Sequence, residues 1–115
     1  VMGHARCGGV QAFVEGEADP YKRPLSPGDF IGQWMKLIAP ATELMHRPLE
    51  VTPQYVGGLA RASVRKSLEN LRTFPCVRTL EERGLLALHG AFFGVMDGDL
   101  EILDPGTGDF LPVPV

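Results

Sequence analysis

Residues 85–96 read Leu-Leu-Ala-Leu-His-Gly-Ala-Phe-Phe-Gly-Val-Met, an almost unbroken apolar run that stops at Asp97-Gly98. The run is well short of the ~20 residues that a membrane-spanning helix needs. It shows no polar stripe and carries β-favouring Phe and Val, so it predicts a strand over Leu85–Met96 buried on both faces. A strand of that kind exists only inside a covered sheet, so the rest of the chain has to supply helices. Asp97-Gly98 predicts a tight turn into a second strand over Leu100–Leu103, forming a hairpin. Asp104, Pro105 and Gly106 close that strand, and the Pro-rich tail to Val115 predicts an extended segment.

Helical signals fill the remainder. Val10–Val14 predicts a short helix, closed by the charged, flexible stretch Glu15–Lys22. A loop with Pro24, Pro27 and Gly28 follows, and Ser26 or Asp29 can cap the next element. From there Phe30, Trp34, Leu37, Ile38, Ala41, Leu44 and Met45 fall at helical spacing, predicting one buried face, with Pro40 kinking or splitting the helix. Val64, Leu68 and Leu71 mark an amphipathic helix with Arg61, Arg65, Lys66 and Glu69 on its polar side. Thr73-Phe74-Pro75 predicts the cap and first turn of another helix through Leu80, and Gly84 fits a helix stop. The fold class is therefore α/β, a mostly parallel sheet flanked by helices with an antiparallel C-terminal edge hairpin.

The chain of 115 residues is 44% hydrophobic, enough for one domain core and too little for two. A net charge of −3, with arginines interspersed among acids, argues against a nucleic-acid partner. No run is apolar for long enough to predict a membrane segment. Two cysteines do not make a disulfide framework, which favours a reducing compartment and a cytoplasmic location.

Chemistry concentrates at the start, in Val1-Met2-Gly3-His4-Ala5-Arg6-Cys7-Gly8-Gly9-Val10. Val1 and Met2 read as the last residues of a buried strand, so the chain is expected to be part of a longer domain. Imidazole and thiolate, three residues apart, are donors that Zn2+ favours, and the positive end of a following helix suits an anionic sulfur. Gly8 and Gly9 would let the backbone approach a metal or a bound oxyanion, and their amides could donate to it. Plainer readings stand beside this one. Cys7 can be a small buried hydrophobe, His4 a hydrogen-bonded core residue, and the Gly-Gly pair a packing device.

Gly3-His4-Ala5-Arg6-Cys7-Gly8-Gly9-Val10 is similar to the GHxxCGG segment of the β-class carbonic anhydrases. Ser63 to Leu71, then Pro75, then Gly84-Leu85-Leu86-Ala87-Leu88-His89-Gly90 resemble that family's SVxxSLxNL helix, its proline helix and its GxLxLHG strand. Asp97-Gly98-Asp99-Leu100 resembles its closing hairpin, and Phe30–Met35 a helix of bacterial members. The resemblance implies that residues 1–115 are the C-terminal portion of one such domain. It implies reversible hydration of CO2 to bicarbonate and a proton, with Zn2+ as cofactor and His4 and Cys7 as two of its three protein ligands. The Gly8 amide is a weaker candidate for contacting substrate, and a homo-oligomer, dimer or tetramer, is implied as well.

The family's first ligand lies in a CxDxR segment whose Asp and Arg form a dyad beside the metal, and no CxDxR occurs in this sequence. No catalytic residue is therefore assigned within the chain, which is expected to be inactive alone. The alternative is a catalytically incomplete piece that serves as a structural half or binds zinc weakly. A redox thiol protein built on Cys7 finds no CxxC to support it. Cys76, beside Val77, reads as a structural thiol, and His89 as a satisfied core histidine in preference to a proton shuttle. Trp34, Phe92 and Phe93 read as core or interface packing, and His46 as an exposed cap.

Overall fold

A computed structural model describes residues 1–24 and 26–114. Four strands, β1 (Met2–His4), β2 (Ala91–Phe93), β3 (Leu100–Leu103) and β4 (Phe110–Pro112), form one sheet in the order β1-β2-β3-β4. β1 pairs with β2 in parallel, with Gly3 opposite Phe92 and His4 opposite Phe93. The β2–β3 and β3–β4 pairs are antiparallel. The helices are α1 (Gly8–Ala18), α2 (Phe30–Met35), α3 (Pro53–Arg72) and α4 (Pro75–Glu82), with a 3-10 stretch over Lys36–Leu44.

α3 organises the rest. Thr52 caps it by accepting the Tyr55 amide at 3.1 Å, and Pro53 supplies a pre-formed first turn. Tyr55, Val56, Leu59, Ala60, Ala62, Val64 and Leu68 are buried along it, packing with Val10 and Val14 of α1, Ala41 of the 3-10 stretch and Phe92 of β2. On the sheet side the fit is close. A Cβ built on Gly3 would lie 2.9 Å from Val64 Cγ2, and one on Gly90 3.1 Å from Leu68 Cδ1.

Arg61 and Arg65 are not on a purely solvated side. The Arg61 guanidinium stacks 3.8 Å above the Phe92 ring and forks onto Glu101 at 2.8 and 2.9 Å. Arg65 lies 5.1 Å over Phe110 and donates to the Gly108 carbonyl at 2.6 and 2.9 Å. Long stems let both arginines cover the apolar sheet while their charged ends find partners.

The local stops and turns fall where the sequence puts them. α4 begins at Pro75, and Gly84 at φ 68° ends it while the Gly84 and Leu85 amides reach back to Glu81 and Leu80. Gly98 takes φ 78° in the β2–β3 turn.

Other expectations need correction. The paired strand covers only Ala91–Phe93, and Leu85, Ala87 and His89 are exposed. The Val1 nitrogen donates to the His89 carbonyl, and among the described residues no strand pairs with 85–88. α1 continues to Ala18, well beyond Val14. Ser26 and Asp29 occupy cap positions without a side-chain cap hydrogen bond. The 30–45 segment buries only Ala41, leaving Phe30, Leu37 and Leu44 in solvent and Trp34 70% exposed. Phe92 is core but Phe93 is 36% exposed. The tail gains a fourth strand, whose Phe110 packs edge-on against Phe92 at 6.4 Å.

Candidate metal centre

The site is built where β1 gives way to α1. β1 ends at His4, and the Ala5 amide makes one more ladder bond, to the Phe93 carbonyl at 2.8 Å. Arg6 then turns the chain with φ 54°, a left-handed conformation that costs an L-residue of this kind roughly 1–2 kcal/mol. Cys7 follows as the N-cap of α1, with its carbonyl accepting the Gln11 amide at 3.0 Å. Its sulfur makes no capping hydrogen bond, which leaves it available as a donor. His4 is exposed, so it is not the core residue of the plainer reading, while Cys7 is half-buried and packs against the edge of the hydrophobic core.

His4 Nδ1 lies 2.9 Å from the Ala5 carbonyl. A carbonyl can only accept, so this contact places the proton on Nδ1 and leaves the Nε2 lone pair free. A backbone carbonyl on the second ring nitrogen is the usual way in which proteins orient a metal-binding imidazole. The chemistry of this donor pair therefore fits Zn2+. Among the described residues no group of three or more His, Cys, Asp and Glu side chains gathers at one point.

The two glycines differ. A Cβ on Gly9 would sit 3.0 Å from Met35 Sδ, so Gly9 lets α1 approach α2 and serves packing. A Cβ on Gly8 would meet nothing within 4 Å. Gly8 lies exposed in the first turn of α1, where backbone N–H groups lack intrahelical acceptors.

Beneath the His4–Cys7 loop is a cavity of about 330 Å³ whose lining includes Ala5, Arg6, Arg61, Phe92 and Glu101. Arg6 Nη1 also donates to Met96 Sδ at 3.5 Å. Sequence reasoning missed Arg61 and Glu101. The available signal was the placement of Arg61 one residue after Ala60 and three before Val64, at the border of the apolar face. The other flagged residues are elsewhere. Cys76 is exposed on α4, which contradicts a buried structural thiol, because α4 lies at the surface and buries none of its residues. His89 is exposed, and its backbone carbonyl accepts from the Val1 nitrogen at 2.9 Å, so among the described residues its side chain is not the satisfied core histidine expected. His46 is exposed just beyond the 3-10 stretch, and the cap position itself belongs to Met45.

A family model described as carbonic anhydrase matches residues 1–100. The chain is 27% identical over 114 residues to carbonic anhydrase 1 of Escherichia coli O157:H7, covering 98% of this chain and 49% of that protein. It is 31% identical over 104 residues to the chloroplastic beta carbonic anhydrase 5 of Arabidopsis thaliana, covering 88% of this chain and 33% of the relative. Among solved structures, the beta-carbonic anhydrase CcaA superposes with a TM-score of 0.72 at 20% identity, over all of this chain and 50% of the other. The chain thus spans between a third and a half of the curated relatives' length. No helix of the described residues is long and apolar enough to cross a membrane.

Proposed function

Since this chain belongs to the β-class carbonic anhydrase family, we propose that the protein carrying it catalyses the reversible hydration of CO2 to bicarbonate and a proton, with His4 Nε2 and Cys7 Sγ as two of its Zn2+ ligands. The observation that carries the reading is the family match over residues 1–100, which includes the strand-end His4 and the helix-capping Cys7. Zn2+ in such a site makes water a competent nucleophile toward CO2 at neutral pH.

This chain's own residues would hold and orient. The Ala5 carbonyl fixes the His4 ring by accepting from Nδ1, and the φ 54° turn at Arg6 carries the chain from the strand into the helix capped by Cys7. The Gly8 amide, in the first turn of α1, would donate to a bicarbonate oxygen. A further thiolate, with the Asp-Arg dyad, would come from a CxDxR segment of the kind the resemblance implies. The exposed Phe30, Trp34 and Leu37 are consistent with a homo-oligomer, and a cytoplasmic location fits the two unpaired cysteines. One observation favours a second reading for the 115 residues taken alone. The described residues gather no three metal donors, so the isolated chain would be a weak zinc binder without useful hydration activity.

The test is zinc content, zinc affinity and stopped-flow CO2 hydration of the whole protein and its variants. Partners that only orient ligands cost 10–100-fold in affinity, so His4→Ala and Cys7→Ser should each weaken zinc by at least ~100-fold and abolish hydration. Cys76→Ala should leave zinc unchanged. Full zinc occupancy in Cys7→Ser would remove the ligand assignment. Activity in the isolated chain that Cys7→Ser abolishes would refute the second reading.

A further inference from the structure

We propose that Arg61 is a positioning residue for the metal centre, acting through Phe92 and Glu101 on the strand that presents His4. The inference rests on the ligand reading above. Gly3, Phe92 and Glu101 form one register row across β1, β2 and β3, and the next row begins with His4. Arg61 lies on that row from the α3 side, with its guanidinium 3.8 Å over Phe92 and both oxygens of Glu101 held at 2.8 and 2.9 Å. The same helix touches β1 directly, since a Cβ on Gly3 would lie 2.9 Å from Val64 Cγ2 and 3.5 Å from Phe92 Cδ2. β1 pairs with β2 in parallel, with Gly3 opposite Phe92. The place of His4, and with it the start of the His4–Cys7 loop, is thereby tied to where Phe92 sits under α3. Arg61, Phe92 and Glu101 also line the cavity directly beneath Ala5 and Arg6.

An internal control is one helical turn away. Arg65 is also part-buried, stacks on an aromatic ring and makes two hydrogen bonds to the sheet, but its partners are Phe110 and the Gly108 carbonyl in the distal hairpin. Arg65 reaches the row beside His4 only at second hand, through the edge contact of Phe110 with Phe92, whereas Arg61 holds Phe92 and Glu101 directly. Removing Arg61 loosens that row itself.

The experiment compares Arg61→Met and Arg65→Met in the whole protein, reading zinc affinity by chelator competition and the visible spectrum of the Co2+-substituted form. Because orienting partners are worth 10–100-fold in metal affinity, Arg61→Met should lose about tenfold or more and alter the Co2+ bands. Arg65→Met should stay within about twofold, with an unaltered spectrum, on the same reasoning. If Arg61→Met does not fold, Glu101→Gln serves in its place, since it keeps the stacking on Phe92 and removes only the charged fork. It should weaken zinc several-fold. Equal losses in the Arg61 and Arg65 variants would overturn the proposal, as would zinc affinity and spectrum unchanged in Arg61→Met, or in Glu101→Gln where that variant stands in. His4→Ala in the same assay separates the two levels. Zinc retained there sinks the ligand reading itself, whereas zinc lost there but kept in the Arg61 variant sinks only the positioning role.

Discussion

The face between α3 and the sheet and the segment 30–45 contain similar residues and have opposite fates. On α3 nearly every apolar residue at helical spacing is buried, with Leu59 at 0% exposure. Along 30–45 an equally regular stripe leaves Phe30, Trp34, Leu37 and Leu44 in solvent and buries Ala41 alone. Periodicity states that a helix has an apolar face; it does not state what that face meets. α3 meets a sheet on one side and α1 with the 3-10 stretch on the other, whereas the 30–45 stripe meets nothing on its outer side among the described residues.

The largest effect expected from this contrast is on the buried side. Leu59→Ala should cost about 2–5 kcal/mol of stability, read from denaturant unfolding of the whole protein, because the cavity left at a closed site relaxes only in part. Trp34→Ala and Leu37→Ser should cost no more than ~0.5 kcal/mol at dilutions where the protein is a monomer. A loss comparable to that of Leu59→Ala would break the comparison and mean that the stripe is covered within the monomer of the whole protein.

Two glycines sharpen it at intermediate size. Gly3→Ala should cost about 1–3 kcal/mol, since the new methyl meets Val64 at 2.9 Å and the Ala60 carbonyl at 3.4 Å with no slack on the helix side. Gly8→Ala should be neutral or stabilising by up to ~1 kcal/mol, because nothing lies within 4 Å of the added carbon and the unfolded chain loses freedom. Equal costs at the two positions would show that α3 does not grip β1 closely.

The smallest effect concerns acid. Hydrogen bonds from the Arg72 guanidinium hold the Glu81 carboxyl below the ordinary carboxylate range, against a smaller opposing push from burial. A lowered folded-state pKa adds stability that is present above the unfolded carboxylate value and is lost as pH falls through the lower folded value. The pair is largely open to solvent, so Glu81→Gln should lower the neutral region of a thermal-unfolding pH profile only slightly and leave the acid end, below the folded value, unchanged.

Legibility follows the same division. Features fixed by local backbone chemistry were readable, as with Pro75 opening α4, Gly84 closing it and Gly98 turning the hairpin. The strand-end place of His4 and the helix-start place of Cys7 were readable because both are local backbone signals. What depends on neighbours was not. The apolar run 85–96 has the composition of a strand covered on both faces, yet only Ala91–Phe93 pairs. Arg61 and Arg65 looked solvated because charge predicts water, and only the sheet beneath them shows that their stems are packing material. β4 escaped notice because three residues ending in proline look like tail; it forms because the Asp104–Asp109 turn folds the chain back along β3.

That fourth strand also governs how the sheet can grow. The Val113 amide points inward to the Leu100 carbonyl at 2.9 Å, so the backbone nitrogens of its neighbours Pro112 and Pro114 face the open side. Neither nitrogen carries a hydrogen. A foreign strand approaching this border would find its carbonyls without donors at consecutive outward positions, the condition that disfavours edge-to-edge aggregation. Proline has stripped this border of outward donors at two positions, so the β1 side is the less obstructed border for an added strand.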